Sequence, residues 1–284
     1  MTGYDLHVHT TASDGGDSPA EVVRQAALVG LAGVAITDHD TTLGIPEAVS
    51  VGREVGVDVI AGVEMTSEET AFECHILGYF VSLGGALDGV LADMRRARVE
   101  RAREMLRRLR VLGFDVSEGE VVQLLGPTAV GRPHLAALLV RKGYAPSVRE
   151  AMRHHLSKRS PAYVARKKLL PEEVVDAIVS DGGVAVFAHP GLVGMDGLIE
   201  RLLPRGLAGV EAYHPEHTTE DTARYVALAK RLGLVVTGGS DYHGKLSSRS
   251  APLGSLTTPA DAVAELRARL GAGRGGAARP TANT

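Results

Sequence analysis

Between residues 4 and 80, and again between 170 and 244, short β-branched runs alternate with stretches of helical periodicity. "YDLHVHT", "GVAIT", "DVIAGVEMT", "CHILGYF", "VAVFAHP", "AGVEAYHP" and "LVVTGGSD" read as strands. "SPAEVVRQAALVG", "IPEAVSVGREVG", "PEEVVDAIVSDGG", "GLIERLLPRG" and "TEDTARYVALAKRLG" read as helices between them. The first helix carries its own punctuation: Ser18 as N-cap, Pro19 at the first position, Glu21 to close a capping box and Gly30 as the stop. Repeated βα units predict parallel strands with helices outside, and seven or so strands suffice to close a barrel. The expected class is α/β, a distorted (β/α)7 barrel carrying an inserted all-helical subdomain.

The insertion is where the rhythm breaks. From residue 86, apolar positions 87, 90, 91 and 94, then 102, 105, 106, 109 and 112, follow helical spacing up to Gly113. Ser117 to Glu120 and Ser147 to Glu150 form further capping boxes, and Pro133 suits a helix start. Residues 91–174 hold 18 Lys and Arg against 9 Asp and Glu, whereas the whole chain has a net charge of −3. An arginine-rich helix is often a solvated face. An asymmetry this large suits an anionic ligand. The expected organisation is barrel over 1–88, helical insertion over 89–172, barrel again over 173–270, and a disordered Gly/Ala-rich tail over 271–284.

At 284 residues the chain is long enough for a sizeable core. It has no apolar run of membrane-spanning length, and its first thirty residues lack the basic and hydrophobic regions of a signal peptide. Its single cysteine, Cys74, excludes an intramolecular disulfide framework. A cytoplasmic location is expected, with no membrane partner, and Cys74 is expected to be buried packing.

Alternation in the first strand puts Asp5, His7 and His9 on one face, with Leu6 and Val8 on the other. An HxH pair alone is more often structural than metal-binding. Other strands, however, end in the same chemistry, at the edge where barrel enzymes build their sites. They supply Asp38, His39 and Asp40; Glu64; His75; His189; His214 and His217; and Asp241 and His243. Any one of these alone reads better as a hydrogen-bonded loop residue; together they point to metal. Imidazole with carboxylate suits Mn2+, Zn2+ or Fe2+ rather than an all-oxygen magnesium or calcium site. About nine ligands fit two or three divalent ions, of which Mn2+ is the first expectation. With only Asp14, Glu64 and Asp241 opposing three such ions, the pocket stays electropositive and favours a phosphate ester.

"DLHVHTTASDG", "ITDHDT", "GVEMT", "FAHPG" and "GSDYHG" occur in that order. The chain thereby resembles the PHP family, named for polymerase and histidinol phosphatase domains. The resemblance covers residues 4 to 80 and 180 to 244. It implies a seven-stranded βα barrel and a trinuclear metal site. Carried over, it implies one ion held by His7, His9, Glu64 and Asp241, and a second bridged through Glu64 with His75 and His189. Asp14, His39 and His243 would hold a third. Asp14 stands where some relatives have histidine, so the third site is expected to be weaker or to select a different metal.

The insert adds "GRPHLA", residues 131–136. Arg132 could clamp a phosphate bidentately and His134 could donate a hydrogen bond or proton. Otherwise they are a surface cation and a helix-start residue. The motif resembles the PHP subgroup acting on nucleoside 3′,5′-bisphosphates and on 5′ ends of short RNA. The expected reaction is phosphoester hydrolysis by a metal-bridging hydroxide, with His7, His9, Glu64 and Asp241 acting through the metals. Asp38 and Asp40 are expected to orient ligand histidines, and His217 is either a further substrate contact or a solvated loop residue. No Trp and only four Phe argue for a small nucleotide or short oligonucleotide over a long nucleic-acid tract. A histidinol-phosphate-type phosphatase and a non-catalytic nucleotide-binding module are the alternatives.

Overall fold

The computed structural model describes residues 3–68, 72–117, 119–120, 132–165, 169–244 and 251–270. The tail from 271 and Gly131 of the "GRPHLA" motif lie outside them. The chain divides into two compact units, Met1–Val90 with Lys168–Thr284, and Leu91–Lys167.

In the first unit, seven strands form one sheet in sequence order: β1 (Tyr4–Val8), β2 (Gly33–Ile36), β3 (Asp58–Glu68), β4 (Glu73–Tyr79), β5 (Val184–Phe187), β6 (Leu207–Tyr213) and β7 (Val235–Gly238). The sheet curls until its edges meet. His9 N donates to Tyr242 O at 2.8 Å and Tyr242 N to His7 O at 3.3 Å, tying β1 to the chain just past β7. The expected all-parallel sheet requires one correction. β4 runs antiparallel to both β3 and β5. Only four residues separate β3 from β4, too few for the crossover a parallel pair needs.

Helices follow the strands: α1 (Pro19–Leu28) after β1, α2 (Ile45–Val55) after β2, α6 (Pro171–Ser180) before β5, α7 (Pro190–Val193) and α8 (Asp196–Leu202) after β5, α9 (Thr219–Leu232) after β6 and α10 (Ala260–Ala268) at the end. Ser18 caps α1 in the box read from sequence, its side chain accepting from Glu21 N. Thr218 and Asp221 cap α9 in the same way. Leu6, Ala35, Ile60, Leu77, Val186 and Val235 are buried together with Val263 and Leu266 of α10, which leaves the polar faces of the strand ends for a site.

The second unit is helical, with a core of its own. Ala102, Met105, Leu106 and Leu109 of α3 (Ala86–Val111) pack with Leu135, Ala136, Leu138 and Leu139 of α4 (Arg132–Arg141), and with Ala151 of α5 (Val148–His155). Phe114 is wedged edge-on between Tyr144 and His155, with ring centres 4.9 and 5.0 Å away, so Phe114 and Tyr144 are packing groups. Among the described residues no helix is long and apolar enough to cross a membrane.

Candidate metal centre

Glu64 stands in the middle of β3, and five histidines converge on its carboxylate. Oε1 lies 2.6 Å from His75 Nδ1 and 3.1 Å from His189 Nε2. Oε2 lies 3.3 Å from His7 Nε2, 3.2 Å from His9 Nε2 and 3.1 Å from His39 Nδ1. Asp241 Oδ1 faces the same two nitrogens of His7 and His9, at 3.4 and 3.2 Å. Topology explains the convergence. His7, His39, His189 and Asp241 sit at or just past the carboxyl ends of parallel strands, while His75 is near the start of the reversed strand β4 and so arrives at the same rim.

A looser group lies beside the first. Asp14 is 3.5 Å from His243 Nε2 and 3.8 Å from both His39 Nε2 and His9 Nδ1, and its side chain is about a third exposed. The rings of His9 and His243 stack with centres 4.1 Å apart. All nine residues expected to hold metal are therefore gathered in this one region. Within it, four overlapping sets of three or four could each hold an ion: His9 with Asp14, His39 and His243; His7 with Glu64 and His189; His7 with His214 and Asp241; and His39 with Glu64 and His75.

The backbone is held in unusual conformations at the same rim. Asp40, His189 and Asp241 have φ of 51°, 28° and 49°, in the left-handed region that costs a non-glycine residue energy. Asp40 grips β3 at and just after Glu64: its N–H donates to Glu64 O and its Oδ1 accepts from Thr66 N, each at 2.9 Å. Asp38 departs from the expectation that it would orient a histidine. It accepts from Thr10 N and Thr10 Oγ1 at 2.7 Å and from Ser13 Oγ at 2.6 Å, and so shapes the loop that carries Asp14.

Electrostatics follow from burying carboxylates among imidazoles. Burial alone would lower every ring's pKa. At His9 the carboxylates of Asp241 and Glu64 outweigh it and push the ring up to about 10. His75 also rises to about 10, against Glu64. His7 is well above its ordinary value beside Glu211, Glu64 and Asp241. At His39 burial wins, and the ring falls to about 4. Burial would raise Glu64, but His39, His75 and His7 hold it well below the usual carboxylate range. Without a metal, protons on the rings are what neutralise the carboxylates.

The residues fit a divalent centre. His7 Nε2, both nitrogens of His9, His39 Nδ1, His75 Nδ1 and His189 Nδ1 are buried and make no hydrogen bond. Stranding so many buried polar atoms is costly unless a ligand takes their lone pairs. Imidazole and carboxylate are the donors that Mn2+, Zn2+ and Fe2+ accept.

Of two further neighbours, Glu211 escaped the sequence reading and His214 was gathered with the strand-end residues but given no role of its own. Glu211, in β6, is fully buried against His7, and His214, one residue past β6, is buried with its Nε2 3.5 Å from Asp241 Oδ2. The signal for Glu211 was present: one carboxylate in the otherwise apolar strand "LAGVEAY". His217 corrects an expectation. One ring nitrogen lies 2.9 Å from Ala212 O and the other accepts from Gly191 N at 3.1 Å, so the ring ties β6 to α7 and has no nitrogen left for substrate. Arg132 and His134 open α4 in the helical unit. The Arg132 guanidinium lies 6.0 Å from the Tyr163 ring centre, with Arg101 at 5.4 Å from the same ring.

A family model described as PHP domain matches residues 5–144. A phosphoribosyl 1,2-cyclic phosphate 1,2-diphosphodiesterase from Eggerthella lenta is 38% identical over 251 residues, covering 85% of this chain and 94% of that protein. A 3′,5′-nucleoside bisphosphate phosphatase from Chromobacterium violaceum is 35% identical over 250 residues, covering 86% and 88%. Among solved structures, a Bifidobacterium adolescentis protein assigned as a metal-dependent phosphoesterase superposes with a TM-score of 0.85 at 33% identity, covering 94% of this chain and 96% of that one.

Proposed function

The chain belongs to the PHP family, and from that premise we propose that it hydrolyses phosphate monoesters of small nucleotides, nucleoside 3′,5′-bisphosphates above all, with 5′ ends of short RNA as a further substrate. The observation that carries the reading is the single buried carboxylate of Glu64 with five histidines within 3.3 Å. His7, His9, Glu64 and Asp241 would hold one ion, Glu64 with His75 and His189 a second, and Asp14, His39 and His243 a third. Mn2+ is the first candidate, with Zn2+ and Fe2+ as others. Bound divalent ions supply positive charge against the phosphoryl oxygens and acidify a coordinated water to a pKa of about 7.

The chain's own residues do the rest. Asp40 fixes the strand at Glu64 and Thr66, and Asp38 fixes the loop bearing Asp14. Arg132 offers a planar pair of donors matched to a phosphate, and His134 a second donor on the same turn of helix. Tyr163, flanked by two guanidinium groups, is the aromatic of the helical unit left for a base. That is scant stacking surface, which supports a mononucleotide or a chain end over a long tract.

A second reading has its own observation. The higher identity to the cyclic phosphate diphosphodiesterase supports a small phosphosugar diester as substrate. One panel separates the readings: phosphate release from 3′-phosphoadenosine 5′-phosphate, AMP, histidinol phosphate and a short 5′-phosphorylated RNA, with ring opening of a ribose 1,2-cyclic phosphate followed alongside. The proposal requires 3′-phosphoadenosine 5′-phosphate to give the highest kcat/KM. Preference for the cyclic diester would overturn it in favour of the second reading, and no turnover of any substrate by metal-loaded protein would leave a nucleotide-binding module.

A further inference from the structure

Strand β6 contributes no ligand to the centre proposed above, yet Glu211 within it and His214 just past its end are buried ionisable residues against that centre. Glu211 Oε1 lies 2.9 Å from His7 Nδ1, and its Oε2 accepts from the backbone N–H of His189, also at 2.9 Å. One carboxylate thus grips two ligand-bearing strands, β1 and β5. An ionised carboxylate only accepts, so the hydrogen of His7 must sit on Nδ1. When the ring gives up its second proton, the Nε2 lone pair is the one left pointing at the space shared with Glu64 and Asp241, where an ion would bind.

His214 is fixed in the opposite sense. Its Nδ1 accepts from the Glu216 backbone N–H at 3.2 Å, so the neutral ring keeps its hydrogen on Nε2. That nitrogen is buried and makes no hydrogen bond, with Asp241 Oδ2 facing it at 3.5 Å. With a donor at one nitrogen and a hydrogen on the other, the ring offers no lone pair to an ion. His214 therefore differs from the rings around Glu64, although its distances alone would admit it as a ligand.

We propose that Glu211 and His214 are positioning residues of the metal centre: Glu211 sets the tautomer and angle of His7, and His214 holds Asp241 by Oδ2 so that Oδ1 faces inward. The inference rests on the metal-centre reading. Such outer partners orient ligands and raise their basicity, and their loss typically costs about 10- to 100-fold in metal affinity. Glu211→Gln is a sharp probe because an amide has one acceptor where the carboxylate has two. Whichever way it turns, either His7 or the His189 N–H meets an NH2 group.

The test is equilibrium dialysis of the full chain against Mn2+, comparing wild type with Glu211→Gln, His214→Phe and His214→Gln. Each is measured at a temperature where its far-UV circular dichroism matches the wild type. Glu211→Gln and His214→Phe should bind Mn2+ about 10- to 100-fold more weakly. His214→Gln, which keeps a donor facing Asp241, should recover most of the loss. Wild-type affinity in Glu211→Gln or in His214→Phe would overturn the proposal, as would equal losses in His214→Phe and His214→Gln. If wild type binds neither Mn2+ nor Zn2+, the metal-centre reading fails and takes this inference with it.

Discussion

Gly239 passes so close to His7 that a Cβ built on it would lie 2.4 Å from the His7 backbone nitrogen and 2.4 Å from its Cβ. The obstruction is backbone, which cannot swing aside. Gly239→Ala should therefore push β1 away from the end of β7, at a cost of about 1–3 kcal/mol for forced overpacking. Thermal unfolding of metal-stripped protein reads that loss, and the displaced His7 should lower Mn2+ affinity as well.

Glu64→Gln removes the charge on which five histidines converge. A metal centre of this kind supplies several kcal/mol of transition-state stabilisation, and each 1.4 kcal/mol or so is tenfold in rate. Phosphate release should fall by at least about 10³-fold.

Asp14 approaches its histidines less closely than Glu64 does, none nearer than 3.5 Å, and is partly exposed. Asp14→Asn should release one ion and keep the rest, with a second ion lost only if the sites are coupled through His9. Metal-to-protein ratios by elemental analysis would show it.

Metal uptake should release protons. In the metal-free protein His9 and His75 titrate at about 10, and His7 well above 6.5, so all three are cationic at pH 7.5. Ligation requires neutral imidazole, so up to three protons must leave, and affinity should rise with pH through this range. Calorimetric titrations of Mn2+ in buffers of different ionisation enthalpy count them. Stability of the stripped protein has the opposite dependence. A ring whose folded pKa is raised stabilises in full below about 6.5, and that contribution is lost as pH climbs towards 10. The unfolding midpoint of stripped protein should drop over that interval on account of these rings.

His217 and Arg132 should separate cleanly. His217→Ala removes contacts to Ala212 O and Gly191 N, which lowers stability by about 1–3 kcal/mol and leaves KM near its wild-type value. Arg132→Ala should lower kcat/KM for 3′-phosphoadenosine 5′-phosphate by about 10- to 100-fold, the worth of a charged hydrogen bond, without changing metal content.

Much of this arrangement was legible in the sequence, because period-two alternation and strand-end placement are local. His7 and His9 share a face for that reason, and the Ser18 box could be read letter by letter. What local reading missed depended on direction and depth. "CHILGYF" is a strand in either orientation, so the reversal of β4 had to come from the shortness of its link to β3. Glu211 was hidden within β6, and its partner His7 is 204 residues away. Likewise, nothing in "FAHPG" or "GSDYHG" announces that His189 and Asp241 take positive φ. That conformation is imposed by the closed rim, and residue type alone would have argued against it.

Elemental analysis of Mn2+-loaded protein after gel filtration, wild type beside Glu64→Gln, tests the central claim most directly. The account requires two or three ions per wild-type chain and at most one in the variant. Equal metal content in the two, or none in the wild type, would contradict it.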